Sequence, residues 1–216
     1  MQKIFLPLLA ALALALAGCA PSAYLVKVNG YTDLTAPTWI PPGSSFFVIE
    51  NREAKNPLLE KESREKANKL LEKHGYRLAP FEQADYYLFF SYGIGQERST
   101  TVAMPDYYPF GLGFGGGGAY RSYFFVSPFV GYYPQTETIY DRWLLINVVD
   151  GKYYREKSEW RTIWVGEARS IGTSADLRTV SNYLLLADFQ QFGKNTGKAV
   201  PVEIDAQAPV VYGLTP

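Results

Sequence analysis

One cysteine and one histidine in 216 residues leave little material for nucleophilic or metal chemistry. Ser-His-Asp and Cys-His catalysis and zinc sites of His and Cys each need more such side chains than the chain has. The lone His74 stands at the end of a charged stretch, before Gly75, where a helix terminus favours a cation. Charge of neither sign is in excess, with 21 Lys and Arg against 21 Asp and Glu, so the electrostatic footprint of a nucleic-acid binder is missing. No apolar run reaches the ~20 residues of a membrane-spanning helix. A cofactor motif is lacking as well. Gly111 to Gly116 matches the spacing of a dinucleotide-binding turn, but extended aromatic sequence follows it where that turn needs a helix and a later acid, and no Gly-Lys-Ser/Thr closes a phosphate loop. The expectation is a protein without cofactor, without bound metal and without enzymatic activity.

What the chain does have begins at its start. Lys3 precedes an apolar run from Ile4 to Ala17, too short to span and ending in small residues, as a cleaved signal peptide does. The closing Leu16-Ala17-Gly18-Cys19 resembles the lipobox of bacterial lipoproteins. That resemblance implies cleavage before Cys19 and acylation of its thiol and new amino terminus by chains such as palmitate, leaving no free thiol. Two or three acyl chains, at ~0.8 kcal/mol per buried methylene, make a firm anchor. Ala20 in place of Asp implies sorting to the outer membrane, with the body facing the periplasm.

The mature chain suits one domain. Residues 1–18 read as signal, 19–43 as lipidated tether and linker with a short edge strand at Tyr24 to Val28, 44–204 as the domain and 205–216 as a fraying tail. Ser45 to Glu50 is an apolar run bounded by turn residues and reads as a central strand. Asn56-Pro57 opens a helix that Gly75 stops. Leu59, Ser63, Ala67, Leu70, Leu71 and His74 fall on its inner side, and Glu62 with Lys66 and Glu65 with Lys69 on its solvated side. Asp85 to Ile94 reads as a strand with aromatic residues on both faces, and strand, helix, strand implies a parallel pair with a right-handed crossover. Ile139 to Val149 and Trp160 to Ala168 form a hairpin about Asp150-Gly151, closed by a tight turn or by a loop reaching Glu159. A last helix, capped by Thr173 or Ser174 with Asp176 near its start, runs to Phe192 with Leu177, Val180, Leu184, Ala187 and Asp188 on one stripe. Ala199 to Ile204 adds an edge strand. The fold class is α+β, a mixed sheet with two helices packed on it.

Residues 105–134 form a glycine- and aromatic-rich insertion between strands. As a flexible loop it needs no further role. As a surface for a protein partner its anchors are Tyr107, Tyr108, Phe110, Phe114, Tyr120, Tyr123, Phe124 and Phe125, since rigid aromatic side chains are enriched at interfaces. Contact with the membrane or with glycan is a third use. Carboxylates at strand ends, Glu50, Asp85, Asp141, Asp150 and Glu167, keep open a glycan hydrolase that uses two acids. Each also suits a solvated or ion-paired place.

The stretches Asn56 to Glu62, Lys73-His74-Gly75-Tyr76, Ala84 to Leu88 and Trp164-Val165-Gly166-Glu167-Ala168 together resemble a family of bacterial lipoproteins built on a domain of unknown function. The resemblance runs from about Tyr24 to Phe192 and implies the fold, with no catalytic residues to carry over. The functional expectation is a lipid-anchored envelope lipoprotein that binds or scaffolds in the periplasm, its partners the membrane through Cys19 and an envelope protein. A small-ligand carrier is a further alternative.

Overall fold

The computed structural model describes residues 23–33, 40–107 and 130–214. Leu16, Ala17, Gly18 and Cys19 lie outside the described residues, as do Tyr108, Phe110, Phe114, Tyr120, Tyr123, Phe124 and Phe125 of the aromatic segment. The strands are β1 (Ala23–Thr32), β2 (Ser45–Val48), β3 (Arg77–Leu78), β4 (Tyr86–Tyr107), β5 (Val130–Asp150), β6 (Thr162–Gly172) and β7 (Val200–Asp205). They form one mixed sheet in the order β3-β2-β4-β5-β6-β1-β7. Helices α1 (Pro57–Lys73) and α3 (Leu177–Gln190) pack on one face, while α2 (Gly151–Lys157) and α4 (Pro209–Tyr212) are short. The α+β class expected from the sequence is the one observed.

Alternation builds the core. Every second residue of the strands points at α1 and α3: Val26 and Val28, Phe46 and Val48, Leu88 and Phe90, Leu144, Ile146 and Val148, Trp164 and Ala168, Val202 and Ile204 are all buried. Leu70 and Leu71 of α1 and Val180, Leu184 and Phe189 of α3 meet them in one cluster. The opposite face is covered locally, where Tyr87, Val149 and Ala84 pack with Phe81, Phe47 and Tyr154. The Tyr87 hydroxyl donates to the Phe81 carbonyl at 2.6 Å, and Arg155 of α2 donates to that hydroxyl at 2.9 Å. Elsewhere that face is open, with Leu25, Tyr31 and Ile171 exposed.

Local chemistry sets the helix ends. The Asn56 side chain accepts the Leu59 N–H at 3.1 Å, Pro57 takes the first turn and Gly75 turns the chain out with φ 83°. The helix returns to β4, which pairs in parallel with β2. The cap of α3 is Asp176, which accepts the Arg178 N–H at 3.0 Å, in place of the expected Thr173 or Ser174. Ser174 instead accepts the Asp176 N–H at 3.2 Å.

Four further expectations are corrected. Strand β1 is not an edge strand in a linker, because β6 and β7 flank it on either side. Asp150-Gly151 is neither a tight turn nor an open loop: Asp150 accepts the Tyr153 N–H at 2.9 Å as the cap of α2. A Cβ at Gly151 would sit 2.7 Å from the Ala84 carbonyl, so this glycine serves close backbone approach. The outward face of α1 is not simply solvated. Lys66 is 3% exposed, with its ammonium donating to the Arg178 carbonyl at 3.5 Å, and Glu62 pairs with Arg178 of α3 where the sequence suggested Lys66. Finally, the stretch after residue 205 does not fray at once, since α4 forms there and Val211 and Leu214 are buried.

The Trp164 to Ala168 stretch has a structural explanation. Gly166 faces Gly30 across the β1–β6 ladder. A Cβ at Gly30 would run into the Lys194 carbonyl, and one at Gly166 would lie 2.6 Å from Asp188 Oδ2 and closer still to Oδ1. Trp164, fully buried beside them, donates its indole N–H to the Lys194 carbonyl at 3.0 Å. Asp188 is therefore held under the sheet at a spot that only glycine leaves free. Among the described residues neither of its oxygens has a hydrogen-bond partner. Desolvation, with a smaller push from Glu167, raises its carboxyl well above the usual carboxylate range.

Candidate functional site

Strands β4 and β5 extend far beyond the sheet that roots them. β2 leaves β4 after Leu88, and β6 leaves β5 at Tyr140. From Arg98↔Ile139 to Tyr107↔Val130, ten consecutive antiparallel pairs continue with no third strand among the described residues. At ~3.4 Å per residue this ribbon projects by about 30 Å. Arg98, Ser99, Thr100, Thr101, Pro134, Gln135, Thr136 and Thr138 are all exposed, so neither face of its near half is buried. Threonine pairs such as Thr101↔Thr136 suit the pleated backbone without needing a core. Among the described residues nothing pairs with the N–H and C=O groups of its outer edges, and a lone two-stranded ribbon is only marginally stable in water. Tyr107 ends β4 at the far end, where residues 108–129 connect the two arms.

The root of the ribbon is pinned. A register shift between Ile94 and Glu97 marks where it leaves the sheet. Arg142, opposite Ile94 in β5, is only 2% exposed. Its guanidinium lies 5.3 Å from the centre of the Tyr24 ring and donates to the Ser174 carbonyl at 3.1 Å, tying β5 to β1 and to the segment before α3. Gly172 leaves the room it needs, since a Cβ there would meet Nη2 at 2.6 Å.

Beside the root runs an open groove of about 950 Å³, lined by Asn51, Asn56, Glu60, Tyr92, Asp176 and Arg178 among others. Glu60 is 3% exposed and accepts the Asn51 N–H at 2.9 Å and the Tyr92 hydroxyl at 3.3 Å. Burial pushes the Glu60 carboxyl up, and burial together with the Glu60 charge pushes the Tyr92 hydroxyl up to about 12. Tyr92 therefore stays a neutral donor to the carboxylate at neutral pH. Asp176 is held below its ordinary range, chiefly by the Thr179 hydroxyl. These groups satisfy one another and cap helices.

The acids singled out from the sequence are dispersed. Glu50 pairs with Arg64 at 2.7 Å. Asp85 accepts the Ser45 hydroxyl at 2.6 Å and the Ser45 N–H at 2.8 Å, and those bonds hold its carboxyl below the ordinary range. Asp150 caps α2. Asp141 and Glu167 line one hollow of about 350 Å³ on the open face of the sheet, together with Trp143 and Arg169. Arg169 lies 2.7 Å from Glu167 and 3.6 Å from Asp141, so the hollow is built as an ion-paired cluster. Among the described residues no group of three or more His, Cys, Asp or Glu side chains is placed to hold a metal.

Sequence reasoning missed the length of the ribbon, the buried Arg142 and the Glu60–Tyr92 pair. The Thr-rich runs Ser99 to Thr101 and Thr136 to Thr138 were the available signal for the ribbon.

Over residues 34–192 the chain matches the family described as domain of unknown function DUF4136, and it belongs to that family. No match to a curated protein was found. Among solved structures it is similar to a PDZ domain protein from Parabacteroides distasonis, with TM-score 0.49 and 16% identity, covering 90% of this chain and 41% of that one. The chain thus spans well under half of that protein's length. It is also similar to PelC from Paraburkholderia phytofirmans, solved as a dodecamer, with TM-score 0.40 and 12% identity over 79% of this chain and 98% of that one. A DUF4136 family protein from Bacteroides thetaiotaomicron gives TM-score 0.39 and 17% identity over 78% and 97%.

Proposed function

We propose that this DUF4136 chain is a lipid-anchored lipoprotein of the bacterial outer membrane, facing the periplasm, that works without catalysis by holding out its β4–β5 ribbon to a protein partner. The lipid reading rests on Leu16-Ala17-Gly18-Cys19 after a short apolar segment. The binding reading rests on one observation above all, the ten pairs of ribbon that no other element of the described chain covers. Ordering so many residues in an exposed ribbon carries an entropic cost that its own contacts do little to offset. A partner that satisfies the open edges accounts for it. The carboxylates serve as caps and ion pairs, which supports a scaffold over a hydrolase.

A photo-crosslinking amino acid placed in living cells at Thr101 or Thr136 is expected to give discrete protein adducts, and the same group at the exposed Lys152 of α2 is not. Absence of adducts at both ribbon positions would refute the binding role. Metabolic labelling with an alkyne fatty acid is expected to mark the wild-type chain and to be lost in Cys19→Ser. An unlabelled wild-type chain would refute the anchor.

A further inference from the structure

We infer that the ribbon's partner is a second copy of this chain, joined by antiparallel pairing of the outer edge of β4 in one copy with the outer edge of β5 in the next. The inference rests on reading the ribbon as the binding element. Among the described residues no strand pairs with the outer edge of β4 from Arg98 outward or of β5 up to Ile139, and the two strands run antiparallel within the chain. Stacking copies edge to edge continues the order β4, β5, β4, β5 with every pair antiparallel and every ribbon pointing the same way. Copies tethered to one membrane have that common orientation. Each chain offers one edge of each kind, so the contact is head-to-tail and repeats from copy to copy.

The side chains favour this pairing over symmetric ones. Proteins that avoid edge association place lysines or prolines along the edge. No lysine occurs in residues 98–107 or 130–139, and the prolines, Pro105 and Pro134, leave Arg98 to Met104 and Gln135 to Ile139 clear. Among the described side chains of the ribbon's near half, Arg98 and Glu137 are the charged ones, one on each strand, and no ion pair joins either to another described residue. Thr100 faces Glu137 and Arg98 faces Ile139, which places the cation and the anion on the same face of the ribbon. Setting Arg98 of one copy opposite Glu137 of the next makes an ion pair that neither forms with a described residue of its own chain. It also faces Ser99 with Thr136 and Thr100 with Gln135, favourable polar cross-strand neighbours. Pairing β4 with β4, or β5 with β5, would bring like edges together and send the ribbons in opposite directions.

The test uses the full lipidated chain in its native envelope, where acylated Cys19 offers no competing thiol. Two differently tagged copies are co-expressed, one carrying Arg98→Cys and the other Glu137→Cys, and mild oxidation is applied. A disulfide between the two tags, with none when either variant is expressed alone, is the expected result. Disulfides within the single-variant samples, or no disulfide in the mixture, would overturn head-to-tail self-pairing. Charge reversal gives an independent reading: Arg98→Glu is expected to weaken self-association several-fold by light scattering of the purified chain, and Arg98→Glu with Glu137→Arg to restore it. Failure of the exchange to restore association would also count against the register. If both self-association tests fail while adducts at Thr101 and Thr136 persist with another protein, the second-copy inference falls and the ribbon's binding role stands. If the adducts are missing too, both fall.

Discussion

Replacing Asp188 by Asn isolates the most unusual electrostatic feature of the core. The Asp188 carboxyl is fully buried under Gly166, with neither oxygen hydrogen-bonded among the described residues, and its affinity for a proton is raised well above normal. In the unfolded chain the same group titrates near ~3.9. The folded state thus keeps a proton that the unfolded state releases. Stability from this group is fully present below the unfolded value and declines as pH rises toward the raised folded value. The decline is ~1.4 kcal/mol for each pH unit within that window. Each pH unit inside that window lowers the melting temperature by roughly 3 to 6 °C for a domain of this size. Asn has nearly the same shape and no proton to lose. Urea unfolding at pH 5, 6, 7 and 8 should show wild-type stability falling with pH and Asp188→Asn holding nearly flat, the variant overtaking wild type on the alkaline side. Parallel profiles for the two proteins would refute a protonated Asp188.

Gly166→Ala should destabilise the fold by about 1 to 3 kcal/mol, the range for overpacking a filled site, because its Cβ falls on the Asp188 carboxylate and the Trp164 ring. That cost should shrink in an Asp188→Ala background, as a double-mutant cycle measured by denaturation would register. Asn56→Ala should cost about 1 kcal/mol by removing the acceptor for the Leu59 N–H, and Asn56→Asp should recover most of it; equal stability of all three chains would count against the cap.

Elements whose signals are local were legible in the sequence. Asn56, Pro57 and Gly75 mark the ends of α1 because capping geometry is decided within a few residues, and the parallel pairing of β2 with β4 follows from strand, helix, strand. The stripe of α3 was legible down to Asp188, an acid placed by periodicity on an apolar face and found buried there. Features that depend on distant partners were not. β1 lies between β6 and β7, more than a hundred residues on, and nothing near Tyr24 announces either neighbour. Asp150-Gly151 carries the residues of a tight hairpin turn, yet the approach of the Ala84 carbonyl and the capping of Tyr153 turn it into a helix start. The ribbon's arms escaped notice because strand detection relies on an apolar face. Ser99, Thr100 and Thr101 with Thr136 and Thr138 have none to show.

The ribbon's role can be tested most directly by hydrogen exchange of its backbone amides at Arg98 to Thr101 and Gln135 to Ile139 in the full chain on membranes isolated from its host, the proposed setting. In a lone ribbon, alternate amides point outward and exchange freely, while those between the arms are protected. Occupied edges predict protection of both sets on those membranes and loss of the outward set's protection when the purified chain is diluted. Outward amides that exchange at unprotected rates on those membranes would contradict the account.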